Sequence, residues 1–142
     1  MREILFRGKK KNGEWVYGFV DFGGDSFFIN EVFETPPTWQ DPCGDTHYER
    51  HLVDHETIGQ YTGLKDKNGV KIFEGDIIKH WQEEMFFEDN VVGVIEWRDD
   101  LASYMVEYPS CAQAVSALDI NHALVKVIGN VHDNPEIMEG ER

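Results

Sequence analysis

Hydrophobic and polar residues alternate along much of the chain, in short runs that are separated by turn-forming residues. Alternation with a period of two predicts β-strands with one buried face. The first two runs are EILFRG and EWVYGFVDF, and the dipeptide Asn12-Gly13 lies between them. The pattern recurs where residues 61–64 and 70–73 flank residues 66–69, DKNG. Because Asn-Gly tolerates the positive φ of tight turns, the sequence predicts two β-hairpins.

The later runs predict further strands and little helix. GDIIKHW, VVGVIEW and SYMVEY read as strands, with Asp99 and Asp100 at an exposed turn between the last two. VKVIGNVHDNPEIM is expected to supply the last strand, ending at Asn134-Pro135 because proline cannot pair in a ladder. SALDINHAL is expected to form a helical turn with Ser116 as its N-cap. We expect five short strands after Thr57 to close into a small barrel that leaves little exposed edge.

A segment between the two predicted hairpins interrupts the alternation. TPPTWQDPCGDTHYERH is rich in Pro, Gly and Asp, so we predict a long, mobile loop or excursion there. The segment divides the chain into an N-terminal β region with this irregular excursion, residues 1–56, and a C-terminal small β-barrel domain, residues 57–142. The predicted fold class is mainly β, all-β with at most short helical turns.

The segment GQYTGLKDKNGVKIFEGDIIKH could be a ligand loop or an architectural turn. A calcium loop that begins at Asp66 would need glycine at its sixth position and glutamate at its twelfth, but Gly69 arrives at the fourth and Ile77 occupies the twelfth. The glycines also precede strands, whereas a phosphate loop opens a helix. We therefore interpret them as bends between short strands, with Asp76 accepting a backbone hydrogen bond at its turn.

Four zinc-competent residues recur at every fourth position, namely Cys43, His47, His51 and His55. Their surroundings favour a loop followed by a strand, and on a strand His51 and His55 would lie roughly 13 Å apart. That distance is too long for a shared ion, and only one thiol is present. We expect ordinary polar or half-buried histidines, so the sequence predicts no metal and no cofactor and assigns no role to Cys43 or to the histidines.

No arrangement of residues predicts catalysis. The chain lacks the Gly-x-Ser-x-Gly sequence of a nucleophile elbow, and Cys111 has no base beside it in the sequence. His122 or His132 could meet Cys111 only through folding, and nothing in the sequence requires this. We expect a protein that is not an enzyme.

The composition limits size and compartment. The chain has 142 residues, of which 41% are hydrophobic, enough for one compact core or two small ones. No run approaches the ~20 apolar residues that span a bilayer, and the basic start lacks the apolar segment of a signal peptide. We therefore expect a cytoplasmic protein that does not bind membranes, with Cys43 and Cys111 as reduced thiols.

Charge and exposed aromatic residues indicate the kind of partner. The net charge of −14 disfavours nucleic acid, although lysines cluster near both predicted turns. A nucleic-acid-binding accessory protein that uses the lysine-rich turns is the alternative, and an acidic body that imitates DNA is another. Aromatic residues in segments that are not expected to be buried instead favour a protein partner and homo-oligomers. The candidate contact residues are Trp39, Phe86, Phe87, Lys9, Lys10, Lys65 and Lys67.

Three blocks, MREILFRGKKKNGEWVYG, TIGQYTGLKDKNGVKIFEGDII and VIGNVHDNPEIM, resemble the YopX-like proteins of Gram-positive bacterial phages and prophages. The resemblance implies an N-terminal β region followed by a C-terminal roll of the Src-homology-3-like type. It implies a phage or prophage accessory protein and carries no established activity, substrate or cofactor. The motif positions in this sequence are Gly59, Gln60, Tyr61, Thr62, Gly63, Asp66, Asn68, Gly69, Gly75, Asp76, Gly129 and Asn130.

Overall fold

The computed structural model of the protein describes residues 3–80, 91–107, 114–116 and 125–139. Within these ranges strands dominate and helix is confined to one short segment, which confirms the predicted mainly β class. The strands are β1 Phe6–Lys9, β2 Trp15–Gly23, β3 Ser26–Thr35, β4 Asp45–Lys65, β5 Lys71–Phe73, β6 Asp76–His80, β7 Val91–Arg98, β8 Ser103–Glu107, β9 Ala114–Ser116 and β10 Val125–Asn130, and the helix is α1 Pro135–Glu139.

The chain divides into two compact units. One unit is residues 4–60, and the other is residues 1–3 together with residues 61–142. The structure thus places the division after Gln60, whereas the sequence analysis places it after Glu56. Strand β4 runs through this point, so it supplies residues to both units.

In the unit of residues 4–60, four antiparallel strands form a closed ring of pairings. They pair in the order β1, β2, β3 and β4, and β1 pairs with β4 as well. Closing the ring removes the open edges that a flat sheet would expose. Val16, Ile29 and Val53 form the buried core, because inward-facing positions alternate along each strand. The other core contacts come from Phe6, Val20, Phe27 and Ile58.

The first predicted hairpin is confirmed. Gly13 has a φ of 91° and donates its N–H to the Lys10 carbonyl at 2.9 Å. The side chain of Asn12 accepts the Glu14 N–H at 2.9 Å. Both contacts are the local ones that the Asn-Gly pattern predicts.

The predicted excursion, residues 35–51, is confirmed for residues 36–44 and wrong for the rest. The sequence analysis assigned no strand to residues 26–35 and treated residues 45–51 as irregular, but these are β3 and the start of β4. They pair continuously from Phe27 opposite Val53 to Thr35 opposite Asp45. The loop is therefore only residues 36–44. Alternation continues through the histidines, and pairing satisfies the backbone groups that a long loop would leave open.

The second unit contains the second predicted hairpin, formed by the end of β4 and by β5, which is confirmed. Its other strands pair in the order β10, β6, β7, β8 and β9. Ile77 and Ile78 on β6 face opposite sides, as predicted, and each belongs to a different buried cluster. Among the strands that the structure describes, these pairings run as an open series, and the Src-homology-3-like closure stays a prediction.

The C-terminal predictions need three corrections. Strand β10 ends at Asn130, before the predicted Asn134-Pro135, and Pro135 begins α1. The side chain of Asn130 accepts the N–H groups of His132 and Asp133, which turns the chain early. Ser116 lies in β9, and the rest of the predicted helical turn lies outside the described residues. In the described part of the chain, six strands rather than five begin after Thr57.

Candidate functional site

The glycine-rich motif folds around Asp66, whose buried carboxylate lies in the turn between β4 and β5. One oxygen accepts the N–H groups of Asn68 and Val70 at 2.8 and 2.9 Å, and the other accepts the N–H of Val127 on β10 at 3.0 Å. Burial alone would raise the pKa of Asp66, but these three donors outweigh it and hold the pKa below its ordinary value. Gly69 completes the turn with a φ of 80°.

The remaining described motif residues also bond or pair with the backbone. The expected hydrogen bond to Asp76 is present, since Phe73 donates its N–H to the carboxylate at 2.7 Å. Thr62 donates its hydroxyl to the Ile72 carbonyl at 2.8 Å. Gly63 and Gly75 have positive φ, as bends require, whereas Gly59 lies in β4 opposite Arg7. Tyr61 pairs with Phe73 on β5, and the two rings lie tilted against each other. Gln60 pairs with Phe6, and Gly129 and Asn130 contact Asn134.

A cleft of about 660 Å³ lies in the unit of residues 4–60, and we call it the lysine cleft. Its walls are residues 9–13, residues 25–27, residues 52–55 and Thr57. Thr57 fixes one wall by accepting the N–H of Lys9 at 2.8 Å. The predicted contact residues Lys9 and Lys10 line this cleft together with Lys11, Asp25 and Asp54.

The lysine cleft is mixed in charge. Lys10 also forms an ion pair with Glu14 at 3.5 Å, so part of its charge is compensated. The cleft therefore suits a ligand that carries both an anionic and a cationic or apolar group, and it is a weak site for a polyanion. The predicted contact residues Lys65 and Lys67 belong to the other unit, where the Lys67 N–H donates to the Val125 carbonyl at 3.0 Å.

A second surface lies on the outward side of β2, β3 and β4 in the same unit. We call it the outer aromatic face, and its apolar members are between 44% and 67% exposed. The register explains their grouping, because Phe19, Asn30 and Arg50 lie opposite one another on neighbouring strands and residues two positions away share their side. The outer aromatic face consists of Tyr17, Phe19, Tyr48, Arg50 and Leu52.

Arg50 lies on this face and is positioned by contacts with two neighbouring strands. Its guanidinium donates to the Asp21 carboxylate at 2.6 and 3.2 Å and lies 3.5 Å from the Phe28 ring centre. Asn30 donates its side-chain amide to the other oxygen of Asp21. Hydrogen bonds from Arg50 and then Asn30 hold the pKa of Asp21 below its ordinary value. A fixed guanidinium among exposed aromatic rings is the composition that protein interfaces favour.

The other predicted candidates are spread along the chain. Trp39 lies in the loop of residues 36–44 and is 88% exposed, whereas Phe86 and Phe87 lie outside the described residues. Cys43 carries an exposed free thiol. His47 lies 3.1 Å from the Asp45 carboxylate, and His55 stacks on Phe27. His51 and His55 lie on β4, as the strand interpretation predicted, and His47, which was expected in the loop, lies on β4 as well.

The second unit brings two carboxyl groups together on β7 and β8. Partial burial and a hydrogen bond with Glu107 raise the pKa of Glu96 to about 7. Arg98 offsets part of this, since its guanidinium lies 3.2 Å from the Glu107 carboxylate. The Glu96 residue is exposed on the sheet surface.

Sequence reasoning missed the residues that neighbouring strands bring together. Asp21 and Arg50 are 29 residues apart, and Glu31 meets Glu49 only through the register of β3 and β4. The β-branched and aromatic residues of SFFINEVFET were the available signal, because assigning the segment as a strand opposite the histidines would have placed these side chains on shared faces.

No helix in the described residues is long and apolar enough to cross a membrane. A family model described as "YopX protein" matches residues 6–139. The fold is similar to that of protein EF1440 from Enterococcus faecalis, known from a crystal structure, with a TM-score of 0.56 and 24% identity over 97% of this chain and 99% of that chain. No curated protein matches the chain.

Proposed function

Because the chain belongs to the YopX protein family, we propose that it is an accessory protein of a phage or prophage that works by binding another protein. In this proposal it acts in the cytoplasm of the bacterial host and catalyses no reaction. Its family motif supports an architectural role, since Asp66 and Asp76 hold backbone N–H groups of the fold.

The main support for a protein partner is the outer aromatic face. Aromatic side chains and arginine supply most hot spots of protein interfaces, because they bury much area and lose little conformational freedom. Here Asp21 and Phe28 already fix Arg50 in place, so binding would not have to order it.

The charge of the unit indicates the chemistry of the partner. Residues 4–60 contain ten acidic and five basic residues, a formal net charge of −5. A partner with an apolar patch and a basic rim would match this surface, since complementary charge speeds association and disfavours wrong partners. We therefore propose a protein partner with a basic rim around the residues that cover Phe19 and Tyr48.

The test compares the wild type with a variant that carries Phe19→Ser and Tyr48→Ser. Each tagged protein captures partners from host cells that carry the phage, and the captured protein is then purified and titrated calorimetrically. We expect the double variant to lose the partner, because each side chain removed is an exposed aromatic contact.

The matched control is Leu101→Ser, which removes an exposed apolar side chain from the turn between β7 and β8. It should capture and bind the partner as the wild type does. The proposal fails if no purified partner binds the wild type, or if the double variant binds it with unchanged affinity while remaining folded by circular dichroism.

The alternative is binding of nucleic acid through Lys9 and Lys10, which line the lysine cleft. Phosphate contacts would have to overcome Asp25 and Asp54 in the same cleft and the net charge of −14. Labelled single- and double-stranded DNA and RNA, titrated at low and at physiological salt, test this alternative. Micromolar binding that weakens with salt and disappears in the Lys9→Glu, Lys10→Glu double variant would favour it over a protein partner.

A further inference from the structure

A group of potential metal ligands lies on the inward side of the hairpin formed by β3 and β4. Glu31 lies directly opposite Glu49, and His51, two residues further along β4, lies opposite Ile29. Because residues two apart share a face, all three side chains point to the side on which Ile29 is fully buried. One ligand atom from each residue lies within 4.8 Å of the others.

No hydrogen bond joins His51 to the two glutamates in the described part of the chain. Two glutamates directly opposite each other on paired strands repel. The imidazole of His51 is the neighbouring group, but its Nε2 atom lies 3.6 Å from the Glu31 carboxylate, which is too long for a hydrogen bond. This Nε2 atom is buried and has no hydrogen-bond partner in the described part of the chain, while the His51 side chain is only 11% exposed.

The Nε2 atom of His51 is buried without a hydrogen-bond partner, and the imidazole lies close to two carboxylates, so a bound ion would satisfy all three groups. We propose that Glu31, Glu49 and His51 bind a divalent transition-metal ion, with zinc as the representative ion. The site lies on the opposite side of the hairpin from the outer aromatic face, so it is a binding site in addition to the proposed partner surface.

The geometry suits zinc. Zinc binds imidazole nitrogen at about 2.0–2.1 Å and carboxylate oxygen at about 2.0–2.2 Å, so neighbouring ligand atoms around a tetrahedral ion lie roughly 3.4 Å apart. The His51 to Glu31 distance of 3.6 Å already matches this spacing. Glu49 is exposed, so its side chain is free to adjust to the ion. Three protein ligands leave the fourth position to water.

The choice of ligands also gives selectivity. Magnesium and calcium prefer oxygen ligands, whereas imidazole favours zinc, copper, nickel and cobalt. The sequence alone could not reveal this site, because the four-residue spacing groups His51 with Cys43, His47 and His55 instead of with the glutamates. The two glutamates reach His51 only through the pairing of the hairpin.

The experiment titrates zinc chloride calorimetrically into the chelator-treated full chain. We expect one equivalent of zinc to bind, with no competition from a large excess of magnesium. His51→Ala and Glu49→Gln should each weaken binding by at least about tenfold, the loss that even an outer partner of a metal ligand typically causes. Because Glu49 is exposed, its variant should fold normally and keeps the test valid if His51→Ala does not fold.

Two controls exclude other zinc ligands. His55→Ala removes an exposed imidazole of the same strand and should bind zinc as the wild type does. Cobalt bound to the wild type should show d–d absorption without a thiolate charge-transfer band, since the exposed Cys43 is not a ligand. The proposal is overturned if zinc does not bind, if His51→Ala or Glu49→Gln binds it like the wild type, or if only Cys43→Ser abolishes binding.

Discussion

Asp66 joins two parts of the second unit through a single carboxylate. The three hydrogen bonds that this carboxylate accepts connect the turn between β4 and β5 to Val127 on β10. Replacing Asp66 by asparagine keeps one acceptor oxygen but presents an amide donor to one of these N–H groups. We expect Asp66→Asn to lower the free energy of unfolding by about 1–3 kcal/mol, the cost of an unsatisfied buried donor. Urea unfolding at pH 7 measures the change.

The control for Asp66 is Asp41→Asn in the exposed loop, which should change stability by no more than about 0.5 kcal/mol. The pH dependence gives a second check. Since the folded-state pKa of Asp66 is lowered, its stabilisation is present above the ordinary Asp pKa and is lost as pH falls through the folded value. The difference between wild type and Asp66→Asn should therefore shrink toward acid pH. A constant difference would contradict the role of the ionised carboxylate.

Glu96 should have the opposite pH dependence. Its pKa is about 7 in the folded protein and about 4.5 when unperturbed, so between these values the folded state binds a proton that the unfolded state has released. The free energy of unfolding contributed by Glu96 therefore falls as pH rises from 4.5 to 7. Because the residue is exposed, solvent screens the pair, and we expect an effect below about 1 kcal/mol.

Glu96→Gln mimics the protonated side chain and should remove this fall. Urea unfolding at several pH values from about 5 to 8 should show the variant gaining stability relative to the wild type as pH rises. Glu34→Gln, an exposed glutamate on β3, is the matched control and should show no such trend. A stability difference that does not change with pH would show that Glu96 and Glu107 share no proton in the folded protein.

At the scale of elements, strand β2 depends on a close approach at Gly18. A Cβ atom built there would lie 1.9 Å from the Asn30 carbonyl oxygen, and this oxygen belongs to backbone that cannot rotate away. We expect Gly18→Ala to separate β2 from β3 and to cost at least about 3 kcal/mol, the sum of overpacking and an unfavourable φ. Thermal unfolding and hydrogen exchange at the amides of β2 and β3 measure this.

Gly24 provides the comparison. It lies in the turn between β2 and β3 with a φ of 62°, but a Cβ atom added there would have no other atom within 4 Å. Gly24→Ala should therefore cost only about 1–2 kcal/mol, from the backbone alone. Equal losses in the two variants would show that φ, and not the contact with Asn30, sets the requirement for glycine at position 18.

Local and long-range elements differ in how far the sequence predicted them. Both hairpin turns were predictable, because Asn12-Gly13 and the DKNG segment carry their turn geometry in adjacent residues. Strand β3 was missed, since Phe27, Phe28 and Ile29 interrupt the alternation and the Pro-rich loop follows. The pairing of β1 with β4 joins residues about fifty positions apart, and no local pattern encodes it. The same limit applies to the site: Lys9 and Lys10 were predicted, but their acidic neighbours Asp25 and Asp54 were not.

At the scale of the whole molecule, the outer aromatic face favours self-association, whereas repulsion between the net charges of two copies disfavours it. Two copies that meet through this face would bury Phe19 and Tyr48 in a two-fold contact, but each copy carries a charge of −14. Salt shortens the screening length from about 10 Å at 0.1 M to about 3 Å at 1 M, while apolar burial persists. We therefore expect rising salt to shift the protein from monomer toward dimer, which sedimentation velocity would detect.

The Phe19→Ser, Tyr48→Ser variant separates the two contributions, because it removes exposed apolar area and leaves the charge at −14. It should stay monomeric from 0.05 to 1 M salt, whereas Leu101→Ser should dimerise as the wild type does. A dimer that dissociates as salt rises would instead be held by opposite charges. Its contacts would then be expected at the lysine cleft and its exposed neighbours. A wild type that is monomeric at every salt concentration would restrict the outer aromatic face to binding a different protein.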